Sequence, residues 1–150
     1  MQGQFHRLVK DFCSLAQLAD DEAIADGASF CVNDIECALI YLEQDAPALV
    51  HCYIDFGVPP VNRCAEVYKK LLEANYLEHV VSNSGFTLSP KTGHVVLVKV
   101  IHLCGATAEA LADLLSCHAL HAMEWRSHFF LDAHSPSERS DCNDAGIAFA

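Results

Sequence analysis

Apolar residues recur at helical spacing in three stretches of the chain, and each stretch predicts an amphipathic helix. The first helix covers residues 5–18, and the second covers residues 61–77 directly after a pair of prolines. The third covers residues 108–131 and follows Thr107, a side chain suited to N-capping. In the first two stretches the charged residues fall on the opposite side of the helix, so each should pack one side against a core.

Five stretches between the helices have the composition and length of β-strands. An Asn33-Asp34 turn joins the first two strands, and Pro90–Gly93 joins the last two. The predicted strands are residues 28–32, 36–42, 48–56, 85–89 and 94–103, with an acidic connection at 19–27 and a turn at 44–47. The order α-β-β-β-α-β-β-α predicts an α+β fold with an antiparallel sheet and three helices. This single domain covers residues 1–132, and residues 133–150 form a polar tail that we expect to be disordered.

Two of these elements carry more apolar surface than a single core requires. On the helix at 61–77, apolar side chains cover about half of the circumference, whereas a helix on one sheet needs a stripe only a little over ~100° wide. The last strand is apolar on both faces, with Val96, Val98 and Val100 on one of them. An antiparallel strand with one solvated face would alternate. Either the strand is covered twice within the chain, or these surfaces lie between two chains.

Composition limits the kinds of partner. Apolar residues make up 52% and charged residues 19% of the 150 residues, a globular composition long enough for one core. The net charge of −11 repels phosphate backbones and anionic lipid, so we expect neither nucleic acid nor membrane as a partner. No apolar run reaches the ~18 residues of a membrane span, and the N-terminus lacks the hydrophobic segment of a signal peptide. The sequence therefore predicts a protein of the cytosol.

The chain contains eight cysteines, but no Cys-x-x-Cys pair and no export signal accompany them. In a reducing compartment, cysteines within apolar runs are usually small buried hydrophobic residues. We expect this role for Cys31, Cys37, Cys52 and Cys104.

Candidate metal ligands occur on the last helix. Cys117 and His121 are four residues apart, a spacing that gives two ligands to one zinc ion. His102 or Cys104 would have to complete such a site, and nothing in the sequence brings them there. His118, within the apolar stripe of the same helix, fits a hydrogen-bonded core histidine.

Other candidates for chemistry are also weak. Cys64 lies beside Arg63 in the first turns of the second helix, but its apolar position favours burial over reactivity. Asp20, Asp21 and Glu22 lack the spacing of a calcium loop and fit a solvated connection. The sequence contains no phosphate-binding glycine loop and no hydrolase motif. We therefore expect no enzymatic activity, no cofactor and no resident metal.

The segment that is most informative about relationship is Leu71-Leu-Glu-Ala-Asn-Tyr76, at the end of the second helix. It is followed by Gly85-Phe-Thr-Leu, Thr92-Gly93 and the long apolar strand, and it is preceded by Phe56-Gly-Val-Pro-Pro60. In this order, and in the position of Trp125, residues 5–130 resemble the Tir-chaperone (CesT-type) family, the class I chaperones of bacterial type III secretion. The resemblance implies a homodimer in the bacterial cytosol, in which each protomer has a twisted antiparallel sheet flanked by helices.

The resemblance also implies two contact surfaces. It places the second helix and a following strand at the dimer contact, to which we assign Val61, Cys64, Val67, Tyr68, Leu71, Val96, Val98 and Val100. The implied client is the N-terminal segment of a secreted effector in extended form, which adds a strand to a sheet edge and places side chains in grooves. We assign effector binding to Leu8, Phe12, Leu15, Phe30, Val32, Leu39 and Tyr41.

The sequence-based hypothesis is a type III secretion chaperone that keeps one or more effectors soluble and competent for export. It would deliver them to the secretion apparatus, whose ATPase is then a further partner, and so contribute to virulence. Two alternatives stay open at this point. One is a cytosolic adaptor or regulator with the same fold, and the other is a small zinc-dependent enzyme that uses Cys117, His118 and His121.

Overall fold

The computed structural model describes residues 1–42, 47–81 and 84–131, with the backbone alone for residues 77–81. The helices in these ranges are α1 (Gln2–Ala16), α2 (Asp21–Ala25), α3 (Cys64–Val81) and α4 (Ala108–His128). The strands are β1 (Phe30–Val32), β2 (Ile35–Tyr41), β3 (Leu49–Gly57), β4 (Gly85–Leu88) and β5 (Val95–His102). The α+β fold is confirmed, although the described residues contain four helices where three were expected. The predicted tail at 133–150 and most of the turn at 44–47 lie outside the described residues.

The additional helix, α2, lies within the expected acidic connection. Asp21 and Glu22 occupy its first turn, where the helix dipole favours negative charge. Ile24 is buried, and α2 packs against α1. The sequence did not reveal this helix because a five-residue element buries only one side chain, which is too few to show a period.

The strands form one antiparallel sheet in the order β1-β2-β3-β5-β4. The predicted three-strand meander and the later hairpin are therefore both confirmed. Asn33 and Asp34 have φ values of 48° and 62° in the two-residue turn between β1 and β2, a backbone region that Asn and Asp tolerate. The two outer strands of the sheet are β1 and β4.

The core lies between one face of the sheet and the helices α1 and α4. Phe5 of α1 stacks on Tyr41 of β2, and Phe12 packs against Phe30 of β1. From α4, Trp125 is fully buried against Phe56 of β3, with ring centroids 5.7 Å apart. We call this covered side of the sheet the inner face and the opposite side the outer face.

Both ends of α4 follow from local chemistry. The Ala110 N–H donates to the Thr107 hydroxyl at 3.2 Å, which confirms the predicted N-cap. The helix ends at His128, before the expected end at 131, because Phe129 and Phe130 have φ values of 54° and 59°. These left-handed conformations are uncommon for aromatic residues. Phe129 packs on Trp125 at 4.9 Å between ring centroids, and this contact offsets the strain.

β5 is an interior strand whose two faces have different surroundings. Val95, Leu97 and Ile101 are buried on the inner face, whereas Val96, Val98 and Val100 are only half-buried on the outer face. Among the residues that the structure describes, the outer face of β5 is therefore covered less completely than the inner face.

Candidate protein-binding surface

The exposed side of α3 carries large apolar side chains. A short 3-10 turn at Val61–Arg63 precedes the helix. Leu72 and Tyr76 are 68% and 78% exposed and lie on one side of α3 because they are four residues apart, and Val61 in the preceding turn is 90% exposed. Scattered single apolar residues are normal on a protein surface, but a row along one helix indicates an interaction site. We call these three residues the α3 stripe.

Charged side chains border the α3 stripe. The Glu73 carboxylate oxygens lie 3.9 Å from Lys69 Nζ and 3.4 Å from Lys70 Nζ, and both ion pairs are solvent-exposed. Lys69 and Glu73, together with Leu72 and Tyr76, line a shallow depression of about 490 Å³. A partner would therefore meet an apolar centre with a charged border, which is the usual anatomy of a protein interface.

The outer face of the sheet forms a second apolar surface. It contains a groove of about 950 Å³ that extends from β2 across β3 and β5 to β4. Half-buried apolar side chains line its floor, namely Ala38, Ile40, Tyr53, Val96 and Val98.

A hydrogen-bond network fixes one rim of this groove. Asp55 accepts a hydrogen bond from the Gly57 N–H at 2.6 Å, and its other carboxylate oxygen lies 2.6 Å from His94 Nδ1. Arg126 of α4 donates to the main-chain carbonyls of Asp55 and Phe56, at 3.1 and 2.9 Å. The β3–β5 register shifts between Asp55 and Gly57, so these contacts hold a β-bulge in place.

Gly57 is the residue that lets Arg126 reach the bulge. Its φ of +94° is a backbone conformation that residues other than glycine rarely adopt. A Cβ atom at this position would also lie 3.2 Å from the Arg126 Nε. The Phe56-Gly-Val-Pro-Pro60 segment of the sequence therefore contains a bulge that α4 pins to the sheet.

Most of the residues that we assigned to effector binding belong to the core of the single chain. Leu8, Phe12, Phe30 and Leu39 are buried. The accessible members of the set are Leu15, which is exposed, and Val32 and Tyr41, which are partly exposed. The assignment of the set to effector binding stays a prediction, and only these three residues can contact a partner without a change in the core.

The residues that we assigned to the dimer contact divide in the same way. Val67 and Leu71 are buried inside the chain, Cys64 and Tyr68 are partly buried, and Val61 is exposed. Val96, Val98 and Val100 are half-buried on the outer face. Leu72 and Tyr76, which the assignment did not include, are exposed and also lie in the wide apolar half of the helix. The width of that half predicted a second packing surface, but it did not tell which of its two borders faces solvent.

The structure does not assemble the zinc site considered above. Among residues 1–42, 47–81 and 84–131, no group of three or more His, Cys, Asp or Glu side chains could hold a metal ion. Burial, and to a lesser extent the neighbouring Lys99 and His121, lowers the pKa of His118 to about 3.

His118 differs from the expected hydrogen-bonded core histidine. Its Nδ1 atom is shielded from solvent and has no hydrogen-bond partner among the described residues. A buried polar atom without a partner costs folding free energy. The ring of His121 contacts the imidazole, with ring centroids 5.5 Å apart.

The cysteines are more varied than expected. Cys37 and Cys52 are buried as predicted, and burial raises the pKa of each thiol to about 12. Cys31 and Cys104 are exposed, so the expectation of burial was wrong for these two. Cys64 is partly buried, and its thiol donates to the Pro60 carbonyl at 3.3 Å. At Cys37 and Cys52 the raised pKa favours the neutral thiol over the reactive thiolate.

Comparisons with known proteins agree with this geometry. The model of the Tir chaperone protein (CesT) family matches residues 7–126. A chain in the crystal structure of the ExsC–ExsE complex has a similar fold, with a TM-score of 0.64 and 21% sequence identity over 85% of this chain and 94% of that one. No curated protein sequence is significantly similar to the chain. None of the described helices combines the length and apolar content that crossing a bilayer requires.

The family match covers most of the chain and includes both apolar surfaces described above. The class of protein that fold and sequence define together is a type III secretion chaperone, a class that acts by binding partner proteins. The chain belongs to the Tir chaperone protein (CesT) family.

Proposed function

We propose that the chain is a homodimeric chaperone of the bacterial cytosol that binds the N-terminal segment of one or more secreted effectors. It keeps these effectors soluble and competent for export. The observation that carries the proposal is the pair of uncovered apolar surfaces, the α3 stripe and the outer face, on a chain of this family. A chaperone without an energy source of its own works by offering such surfaces to partners.

The dimer is proposed to bury the α3 stripe and the outer face of β5. Complete burial of one large apolar side chain contributes about 1.5–3 kcal/mol, so Leu72 and Tyr76 of both copies offer a substantial gain. The symmetry of a dimer doubles every contact, because the same residues are contributed by each copy. A dimer that buries the α3 stripe and the outer face of β5 would account for the surplus apolar surface of the single chain.

The client is proposed to bind as an extended segment. Such a segment pairs its backbone with a sheet edge and places alternate side chains in adjacent depressions. The net charge of −11 favours basic or amphipathic segments. The similar chain in the ExsC–ExsE complex supports the view that this fold serves as a protein-binding scaffold. Export energy is proposed to come from the secretion ATPase, a partner that the family resemblance implies.

The dimer is tested by a matched set of leucine-to-aspartate variants. Leu72→Asp places a charge on the α3 stripe and should yield folded monomer, whereas Leu120→Asp, at a 57% exposed position on α4, should leave the dimer intact. Val98→Asp tests the outer face in the same way. Sedimentation velocity gives the oligomeric state, and circular dichroism gives the fold. An unchanged dimer in both Leu72→Asp and Val98→Asp would contradict the proposed contact.

The client is tested by recovery from a secreting bacterium. Tagged chain is purified from the cytosol, bound proteins are identified by mass spectrometry, and the complex is treated with protease. Protection of an N-terminal segment of a secreted protein, held by two copies of the chain, is the expected result. A folded cytosolic protein bound instead would favour the adaptor hypothesis.

A further inference from the structure

β4 is an outer strand of the sheet, and one side chain of α3 forms hydrogen bonds with its outer edge. Unpaired N–H and C=O groups along an outer strand are a template for pairing with strands of other molecules. β4 has only four residues, and the apolar side chain of its last residue, Leu88, is exposed. We propose that Asn75 of α3 closes this edge of the sheet to strand addition. The inference goes beyond the proposed function and does not depend on the identity of a client.

Asn75 binds the main chain of β4 as a neighbouring strand would. The Phe86 N–H donates to Asn75 Oδ1 at 2.6 Å, and Asn75 Nδ2 donates to the Phe86 carbonyl at 2.9 Å. A carboxamide contains the same donor and acceptor as a peptide group, so one asparagine replaces one residue of a strand. Both hydrogen bonds join atoms that are 11 residues apart in sequence, and they hold α3 beside the edge.

The position of these hydrogen bonds matches the outward-facing groups of the strand. In an antiparallel pair, the backbone groups of successive residues alternate between the neighbour and the outside. Phe86 lies opposite Leu97 of β5. Its N–H and C=O point away from β5, since both form their hydrogen bonds with the Asn75 carboxamide. By the same alternation, Leu88 is the next residue whose groups face outwards. A strand that pairs with this edge would form hydrogen bonds with the outward-facing backbone groups of both Phe86 and Leu88. The hydrogen bonds with Asn75 already occupy the backbone groups of Phe86.

The sequence around β4 makes room for this contact. A Cβ atom on Gly85 would lie 3.3 Å from Asn75 Oδ1, closer than most such contacts. The residue before it, Ser84, is buried. On the helix, Leu71 and Ala74 are buried and turn the same side of α3 towards the sheet, which aims Asn75 at Phe86. The two sequence segments Leu71–Tyr76 and Gly85–Leu88 thus form one structural unit.

The first test compares two asparagine variants of the full-length protein. Asn75→Ala removes both hydrogen bonds, and hydrogen exchange of the Phe86 amide should become about tenfold faster or more. Asn75→Asp keeps an acceptor for the Phe86 N–H but loses the donor, so its effect should be intermediate. Asn62→Ala makes the same chemical change at an exposed position before α3 and should leave exchange unchanged. Unchanged exchange of Phe86 in Asn75→Ala would overturn the proposal.

The second test separates edge protection from a general loss of stability. Asn75→Ala should self-associate with rising concentration, beyond the oligomer of the wild type, and should bind thioflavin T. Adding Leu88→Lys places a charge on the opened edge and should suppress this association without restoring the protection of the Phe86 amide. If Asn75→Ala does not self-associate, or if Leu88→Lys leaves the association unchanged, the proposal is wrong. Neither readout requires a client or a particular dimer contact.

Discussion

The inner and outer faces of the sheet are built from the same strands but have different environments. On the inner face Leu39, Cys52 and Ile54 are fully buried beneath α1 and α4. On the outer face Tyr53 and Val98 remain half-buried along an open groove. Both faces are largely apolar, so hydrophobicity alone does not distinguish them. What distinguishes them is whether the same chain provides a cover.

This comparison separates two uses of apolar surface. The inner face stabilises the fold of one chain, and its contribution is present in every molecule. The exposed parts of the outer face and of the α3 stripe would contribute further free energy in the proposed assembly, and that contribution would depend on concentration. A substitution on the inner face should therefore change unfolding, and a substitution on the outer side should change association.

The largest expected difference concerns two aromatic residues. Trp125→Ala should lower the free energy of unfolding by about 3–5 kcal/mol, because it leaves a cavity beside Phe56 and Phe129. Tyr76→Ala should change the unfolding of the monomer by about 0.5 kcal/mol or less, because the side chain is exposed. Urea denaturation at two protein concentrations measures both. Equal losses of unfolding free energy for the two variants at low concentration would remove the distinction between buried and exposed apolar side chains.

A smaller and more closely matched difference is expected within β5. Val95→Ala on the inner face should cost about 2 kcal/mol, since two buried methyl groups are lost and a cavity remains. Val96→Ala makes the identical change on the outer face, and it should cost less than about 1 kcal/mol in the monomer. Its main effect should be weaker self-association, measured by sedimentation equilibrium. A larger loss of monomer stability for Val96→Ala than for Val95→Ala would reverse the assignment of the faces.

The pH dependence of stability tests one partly buried side chain of α4, His118. The pKa of His118 is about 3 in the folded chain against 6.5 for an ordinary histidine, so between these values the unfolded chain binds a proton that the folded chain does not. Stability conferred by the neutral imidazole is therefore complete above pH 6.5 and falls below it, by up to about 1.4 kcal/mol per pH unit. His118→Gln should flatten this slope in urea denaturation series between neutral and acidic pH. A slope that is the same in the variant would show that other groups cause the acid sensitivity.

Several features could be predicted because they depend on local periodicity or local chemistry. Thr107 caps α4 as expected, and the Asn33-Asp34 turn closes the first hairpin. The apolar pattern on both faces of β5 raised two possibilities in advance, either coverage of both faces within the chain or a contact between chains. These signals are contained in short segments, so they do not depend on how distant parts of the chain come together.

Other features were beyond the sequence because they depend on distant segments. The width of the apolar side of α3 was visible, but the division between buried Leu71 and exposed Leu72 depends on the angle at which the helix meets β4. The contact between Asn75 and Phe86 joins two segments whose separation in space no periodicity specifies. Cys31 is exposed because β1 is an outer strand, and strand order is likewise a tertiary property.

The sequence by itself determined the order of the main helices and strands, the α+β class and the presence of surplus apolar surface. The tertiary structure decided which apolar residues form the core and which remain uncovered. The physical reason is that periodicity tells which side chains share a face of a helix or strand, whereas burial depends on what packs against that face. In the described part of this protein α1 and α4 lie on the inner face, whereas the outer face keeps an open groove.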